Sequence, residues 1–167
     1  MKKIGLLSDT HGSFPEQVNE FFSDCDEIWH AGDIGNEQVV NQLEAIKPLR
    51  AVYGNIDGGK LRVDFPEYAL FEIEGLRVLM IHIGGYPGHY TKQAKALIEK
   101  YRPGLFVSGH SHILKVIHDS KYQLLHINPG AAGKSGFHKK ITLVRFNIHK
   151  GRISDLDVLN IDRNKLI

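Results

Sequence analysis

Residues 4–33 read IGLLSDTHGSFPEQVNEFFSDCDEIWHAGD, and this stretch holds two short apolar runs separated by a helical pattern. The run at residues 4–7 is typical of a buried strand, and residues 28–31 predict a second strand. Between them, apolar residues recur at helical spacing over residues 18–22, and residues 13–16 resemble a capping box that would start this helix. This strand–helix–strand order is typical of an α/β unit with parallel strands.

The alternation of strand and helix patterns continues to residue 55, and the pattern then changes. Asn36 is predicted to cap a second helix that ends before Pro48, and residues 49–53 predict a third strand. Beyond them, one helical pattern at 91–101 lies among strand patterns at 68–73, 76–83, 105–107, 114–118, 122–127, 140–148 and 153–159. Two packed sheets with helices on the outside account for both the α/β pattern of the first part of the chain and the β-rich pattern of the second. We therefore expect a single domain over residues 1–167.

The overall composition excludes several classes of protein. Hydrophobic residues make up 42% of the 167 residues and charged residues 24%, which excludes a disordered tail and a membrane bundle. Because 21 basic residues nearly balance 19 acidic ones, we expect neither a membrane nor an extended nucleic acid as a partner. Cys25 is the only cysteine, and residues 4–7 are too short for a signal peptide. A cytoplasmic protein is the expectation.

Polar side chains gather where the predicted strands stop. The clusters are Asp9-Thr10-His11, Gly32-Asp33, Gly54-Asn55 and Gly109-His110-Ser111-His112, with His82 at the end of a further strand. Ligands of α/β proteins bind beyond the carboxyl ends of the strands, so these side chains can converge on one spot. Glycine before Asp33, Asn55 and His110 allows the sharp turns that would aim them inward. Taken singly, the clusters are better explained by ordinary turns or a core histidine, and His110-Ser111-His112 is the strongest of them as a metal site.

Taken in order, the clusters resemble the calcineurin-like metallophosphoesterase superfamily. The Asn128-Pro129-Gly130 turn and the compact size narrow the resemblance to the small bacterial and archaeal phosphodiesterases of the YfcE/MJ0936 type. The resemblance implies an α/β fold (α+β by some schemes), a four-layer α-β-β-α sandwich of two mixed β-sheets flanked by helices. It also implies a metal-dependent phosphodiesterase that acts on a small phosphodiester substrate.

The resemblance further implies a centre of two divalent metal ions. Asp9, His11 and His112 would hold the first ion, Asn55, His82 and His110 would hold the second, and Asp33 would bridge both. A hydroxide between the ions would attack phosphorus, with catalytic roles for Asp33, Asn55 and His82. Mn²⁺ is the expected metal, with Fe²⁺, Zn²⁺, Co²⁺ and Ni²⁺ as alternatives, because mixed nitrogen and oxygen ligation suits these ions better than Ca²⁺.

Two positions depart from the family pattern. Ile56 stands where many members carry a histidine that protonates the leaving group, so we predict a preference for good leaving groups or a proton drawn from water. Gly84 stands where a second phosphate-facing histidine is expected, and His89 in the following loop is the predicted replacement. Asp57 and Asn128 are predicted to support the site or to contact substrate from outside the ligand set.

A different class of function stays open. A scaffold with the metallophosphoesterase fold and little activity, like the eukaryotic retromer subunit vacuolar protein sorting 29, would tolerate the changes at Ile56 and Gly84. Against this alternative, all seven expected ligands are present in the sequence. Tight metal binding and phosphoester hydrolysis would distinguish the enzyme from the scaffold.

The oligomeric state is a separate question. A homo-oligomer is one alternative, because members of the family that the sequence resembles often pair through exposed sheet edges or loops.

Overall fold

The computed structural model describes residues 1–165, which form ten β-strands, four α-helices and a short 3-10 helix. The strands are β1 (Lys2–Leu7), β2 (Glu27–His30), β3 (Leu49–Ala51), β4 (Tyr68–Ile73), β5 (Leu76–Ile81), β6 (Leu105–Val107), β7 (Leu114–Asp119), β8 (Leu124–Pro129), β9 (Lys140–His149) and β10 (Arg152–Asp162). The helices are α1 (Gln17–Phe21), α2 (Glu37–Ile46), α3 (Lys60–Asp64) and α4 (Lys92–Tyr101), and the 3-10 helix covers Arg163–Lys165. Each predicted strand and helix is found, whereas α3 was not predicted.

The strands form two five-stranded sheets, and both sheets are mixed. In the first sheet, ordered β10-β9-β1-β2-β3, the three strands β1, β2 and β3 are parallel, and β9 runs antiparallel to β1 and β10. In the second sheet, ordered β4-β5-β6-β8-β7, the central strands β5, β6 and β8 are parallel and both edge strands are antiparallel. Parallel neighbours place their carboxyl ends together, so each sheet presents several strand ends at one edge.

Three apolar clusters separate the layers of the fold. The central cluster lies between the sheets and includes Leu6, Trp29 and Val78. The Trp29 ring meets the rings of Phe71 and Phe146 edge-on, with centroids 5.1 Å and 5.8 Å away. This apolar layer holds the two sheets face to face.

The helices cover the outer faces of the sheets. Helices α1 and α2 bury Val18 and Leu43 in a second cluster against the first sheet. Helix α4 buries Ala94 and Ile98 in a third cluster with Phe106 of the second sheet. The predicted four-layer α-β-β-α sandwich is confirmed.

The starts of two helices show where local sequence signals succeed and fail. Asn36 caps α2 as predicted, since its side chain accepts a hydrogen bond from the backbone N–H of Val39 at 3.0 Å. The capping box at residues 13–16 is wrong, because α1 begins after Glu16 without a side-chain cap. A turn at Pro15, whose carbonyl accepts from Val18 N, starts this five-residue helix instead. No helix within residues 1–165 is long and apolar enough to cross a bilayer.

Candidate metal centre

The seven predicted ligands meet at one end of the sandwich, where strands of both sheets stop. Asp9 and His11 follow β1, Asp33 follows β2, Asn55 lies beyond β3, His82 directly follows β5, and His110 and His112 follow β6. Backbone hydrogen bonds join these loops: Asp9 N donates to Gly32 O, and His11 N donates to Asp33 O, each at 3.0 Å. Both sheets therefore contribute side chains to the same cleft.

Most of these residues have a left-handed backbone. The φ angles are 55° at Asp9, 49° at His11, 57° at Asp33, 72° at His110 and 63° at His112. Such a conformation costs an L-residue roughly 1–2 kcal/mol and clusters at functional sites. The sequence assigned the sharp turns to the preceding glycines, which holds only for Gly32, with φ 101°. Gly109 serves close approach instead, because a Cβ there would collide with Ser8 Oγ and lie 2.9 Å from Asp9 Oδ2.

Asp9, His11 and His112 form the first group, with ligand atoms that all lie within 4.8 Å of one another. Asp9 Oδ2 accepts hydrogen bonds from Ser8 Oγ at 2.6 Å and from His110 N at 3.1 Å. Asp9 Oδ1 instead faces His112 Nε2 at 3.2 Å and His11 Nε2 at 3.8 Å. Asp9 Oδ1 and His11 Nε2 are buried without a hydrogen-bond partner, which fits a cation between them.

Asp33, His82 and His110 form the second group, and their ligand atoms also lie within 4.8 Å of one another. The Ala31 carbonyl lies 2.7 Å from His82 Nδ1 and can only accept, so this nitrogen carries the proton. In the neutral ring, Nε2 of His82 then points a lone pair at Asp33 Oδ1 (3.2 Å) and Asn55 Oδ1 (3.1 Å). Asn55 Oδ1 also lies 3.1 Å from His110 Nδ1. Converging lone pairs of this kind suit a cation.

Asp33 lies between the two groups. Its Oδ2 is 3.4 Å from His11 Nε2 of the first group, and its Oδ1 is 3.2 Å from His82 Nε2 of the second. Oδ1 also accepts a hydrogen bond from the backbone N–H of Ile56 at 3.1 Å. One carboxylate oxygen is thus turned toward each group.

The electrostatics of the cleft favour positive charge. Burial alone would raise the pKa of the Asp9 carboxyl, but the imidazoles of His11 and His112 hold that pKa far below its usual range. Burial also works to raise the pKa of Asp33, and His82 reverses this, so that pKa is lowered. Burial lowers the pKa of His82, but the carboxylates of Asp33 and Asp9 outweigh it and the pKa is raised. Both aspartates are therefore ionised at neutral pH.

Asp57 lies outside the ligand set and ties two ligand-bearing loops together. Its carboxylate accepts backbone hydrogen bonds from Ile34 (3.0 Å), Gly35 (2.8 Å) and Gly54 (2.8 Å). These donors belong to the loops that follow β2 and β3. Asp57 thus joins the backbones of both loops, and its role in supporting a metal site stays a prediction.

Asn128 supports the loop that follows β6. Its side-chain amide donates to Gly109 O and to Ser111 Oγ, each at 3.0 Å, and its Oδ1 accepts from Gly130 N at 3.0 Å. Asn128 therefore fixes the backbone on both sides of His110. A direct contact with substrate stays a prediction.

His89 is not among the ligand groups found in residues 1–165. It is exposed in the loop before α4, and its ring centroid lies 4.8 Å from that of Tyr86. Its role as a replacement for the missing histidine stays a prediction. Ile56 lies beside the cleft with 47% of its surface exposed. Because its side chain is apolar, it supplies no proton donor.

Two histidines outside the predicted set, His30 and His138, contact the site. His30 is buried beneath it, where its Nδ1 accepts from Gly32 N at 3.1 Å and its Nε2 lies 3.0 Å from Thr10 Oγ1. Burial lowers the pKa of His30 to about 4. His138 lies against His112 and comes from the loop between β8 and β9. Proximity to Asp33 in sequence could have indicated His30, whereas no sequence signal pointed to His138.

A cavity of about 350 Å³ opens from the second ligand group. Its lining includes Tyr53, Asn55, Arg62, Glu67, His82 and Gln93. Arg62 is held in place, because its Nε donates to Asp57 O at 2.5 Å and its guanidinium lies 4.5 Å from the centre of the Tyr53 ring. The cavity therefore combines an ordered cation with the residues that would hold a metal.

Comparisons with known proteins show the family and the fold of the chain. The sequence model of the calcineurin-like phosphoesterase superfamily domain matches residues 1–151. A probable metallophosphoesterase of Methanothermobacter thermautotrophicus is 34% identical over 135 residues, covering 77% of this chain and 76% of that protein. The phosphodiesterase MJ0936 of Methanocaldococcus jannaschii is 26% identical over 144 residues, covering 77% and 82%. The crystal structure of Vps29 complexed with Zn²⁺ from Entamoeba histolytica shares the fold, with a TM-score of 0.75 and 14% identity over 97% of this chain and 99% of that one.

Proposed function

The chain belongs to the calcineurin-like phosphoesterase superfamily, and we propose that it is a phosphodiesterase that works with two divalent metal ions. The observation that carries this proposal is the convergence of two ligand groups on the two oxygens of Asp33. The similarity to an archaeal phosphodiesterase favours phosphodiesters over phosphomonoesters as substrates.

The proposal assigns each ion to one side of Asp33. Asp9, His11 and His112 would hold the first ion, and Asn55, His82 and His110 would hold the second. The unpartnered buried atoms Asp9 Oδ1 and His11 Nε2 support this assignment. When bound, two divalent ions lower the pKa of a water between them toward ~7 and neutralise phosphoryl oxygens, and Mn²⁺ is the proposed metal.

The protein's own contribution is to set the charge and the direction of the ligand atoms. Asn55 offers a neutral carbonyl oxygen, so the proposed set contains only the carboxylates of Asp9 and Asp33. Two dications with two carboxylates leave a net positive cleft that attracts an anionic phosphodiester. Ala31 holds the His82 ring with its Nε2 lone pair facing the cleft.

The leaving group receives no proton from residue 56, because Ile56 is apolar. We therefore expect turnover to rise steeply as the leaving alcohol becomes more acidic. The cavity beside Asn55 and His82 is the proposed location of the ester group. Arg62 in that cavity is placed to pair with an acceptor on the substrate.

The decisive experiment uses purified protein with Mn²⁺ and bis(p-nitrophenyl) phosphate, with p-nitrophenyl phosphate as the monoester comparison. We expect diester hydrolysis to exceed monoester hydrolysis, and Asp33→Ala to abolish both because it removes a ligand from each ion. Asp64→Ala is the matched control, since its exposed carboxylate faces the exposed Lys60. Elemental analysis should find less metal in Asp33→Ala than in the control. Turnover in Asp33→Ala within twofold of the parent protein would refute the assignment.

A scaffold is the second candidate, and the edge strand β7 favours it. Val116 and Ile117 on β7 expose 42% and 37% of their surfaces, and Ile113 just before it exposes 57%. An edge strand with apolar side chains offers both backbone and side-chain contacts to a partner. A protein that retains no divalent ion after dialysis and hydrolyses no phosphoester would favour the scaffold.

A further inference from the structure

One histidine outside the proposed ligand set touches a ligand directly. His138 and His112 place their Nδ1 atoms 3.1 Å apart, with rings nearly perpendicular at 81°. On its far side, His138 Nε2 lies 2.7 Å from the carbonyl oxygen of Gly133. Gly136 makes room for the pair, because a Cβ there would lie 2.5 Å from His112 Nδ1 and 3.1 Å from His138 Nδ1.

The proton positions along these contacts follow from which atoms can donate a hydrogen bond and which can only accept one. The carbonyl of Gly133 can only accept, so His138 Nε2 carries the N–H. A neutral imidazole has a single N–H, which leaves His138 Nδ1 as an acceptor. The proton shared between the two Nδ1 atoms must then belong to His112. This leaves the Nε2 atom of neutral His112 with a free lone pair, aimed at Asp9 Oδ1 3.2 Å away.

We propose that His138 is a positioning residue that fixes the tautomer and ring direction of His112, so that His112 presents Nε2 to the first metal ion. This inference rests on the proposed function, in which His112 is a ligand. Metal-bound histidines usually give their other N–H to a carbonyl or a carboxylate. His82 follows that rule through Ala31, whereas His112 uses a second imidazole that is itself anchored on a backbone carbonyl.

The neutral acceptor has a consequence for the charge of the cleft. A carboxylate in the place of His138 would add a third negative charge beside Asp9 and Asp33. An imidazole orients His112 without that charge, which keeps the cleft attractive for an anionic substrate. The loop between β8 and β9 thereby contributes to the first ion without ligating it.

The first test needs no variant. In the metal-free protein at pH 8, long-range ¹H–¹⁵N NMR should show a proton on Nδ1 of His112. A His112 ring whose single proton lies on Nε2 would overturn the proposal. This measurement stands apart from the proposed function: a parent protein that binds no Mn²⁺ or Zn²⁺ would count against the metal centre, and the tautomer would still decide the role of His138.

The second test compares two substitutions by isothermal titration with Zn²⁺. His138→Asn keeps an acceptor near the position of Nδ1, and His138→Leu fills the space without one. We expect Zn²⁺ to bind 10- to 100-fold more weakly to His138→Leu, and the affinity of His138→Asn to stay within about threefold of the parent. His118→Leu, an exposed histidine on β7, is the control and should bind as the parent does. Equal affinity of folded His138→Leu and the parent would overturn the proposal, and so would equal losses in His138→Leu and His138→Asn.

Discussion

The substitution Asp57→Ala tests how firmly the loops after β2 and β3 are joined. The Asp57 side chain belongs to a residue that is only 3% exposed, and it accepts hydrogen bonds from Ile34 N, Gly35 N and Gly54 N at 2.8–3.0 Å. Alanine removes the acceptor and leaves the three N–H groups without it, two of which, those of Ile34 and Gly54, belong to buried residues. The free energy of unfolding should fall accordingly.

The expected loss follows from the number of bonds. A hydrogen bond to a charged group contributes about 1.5–3 kcal/mol, so three give about 4.5–9 kcal/mol if nothing replaces them. Water that enters the vacated space will accept hydrogen bonds from some of these N–H groups, so we expect the free energy of unfolding to fall by about 4 kcal/mol. For a chain of this size, that loss lowers the unfolding temperature by roughly 8–16 °C.

Urea unfolding monitored by the fluorescence of Trp29, the only tryptophan, measures the effect. Asp64→Ala removes an exposed carboxylate and should change the free energy of unfolding by less than about 0.5 kcal/mol. Asp57→Asn keeps one acceptor oxygen and should fall between the two. If Asp57→Ala unfolds within about 1 kcal/mol of the parent with the same denaturant slope, the carboxylate does not hold these loops together.

Three further outcomes are expected. His30 and His126 are buried, and burial lowers the pKa of each to about 4. The unfolded chain therefore takes up protons near pH 6.5 before the folded one can, and each of the two histidines should reduce the stability by about 2 kcal/mol at pH 5. The raised pKa of His82 acts in the opposite direction, so the effect is measured by difference: between pH 7 and pH 5, urea titrations of His126→Leu should show a loss about 2 kcal/mol smaller than that of the parent, and equal losses would contradict this. Asn36→Ala removes the cap of α2 and should reduce the free energy of unfolding by about 1 kcal/mol, whereas Asn36→Asp should retain it in the same urea assay. Gly109→Ala would push a methyl group into Ser8 Oγ and toward Asp9 Oδ2, so isothermal titration should show at least tenfold weaker Mn²⁺ binding. Gly58→Ala is the control, because a methyl group there meets nothing within 4 Å and Mn²⁺ should bind as in the parent. Equal Mn²⁺ affinities of the two variants would contradict the steric argument.

The sequence predicted the fold well because buried strands and helices depend on local apolar patterns. The runs at residues 4–7 and 105–107 became central strands, and the apolar face of α4 was read from its spacing. The start of α1 was missed because a turn at Pro15 competes with the side chain of Ser13 as the first bend of the helix. Helix α3 was missed because five residues carry too little periodicity to be recognised.

The candidate site was predicted from the order of the motifs and not from geometry. The left-handed backbone at Asp9 and His112 could not be read from the sequence, because aspartate and histidine tolerate that conformation without requiring it. The pairing of His112 with His138 spans 26 residues and depends on how the loop after β8 folds back over the cleft. A contact of this kind leaves no periodic signal.

The distribution of ligands over both sheets gives the proposed ions a mechanical role. The first group takes Asp9 from one sheet and His112 from the other, and the second takes Asp33 and His82 in the same way. Each ion would thus cross-link the two sheets at the open end of the sandwich, while the apolar cluster around Trp29 holds them together in the middle. By mass action, a cation present at a hundred times its dissociation constant stabilises its host by about 2.7 kcal/mol. A cell starved of the metal would therefore hold a protein whose sheets part more readily at that end, and proteases would reach it there first.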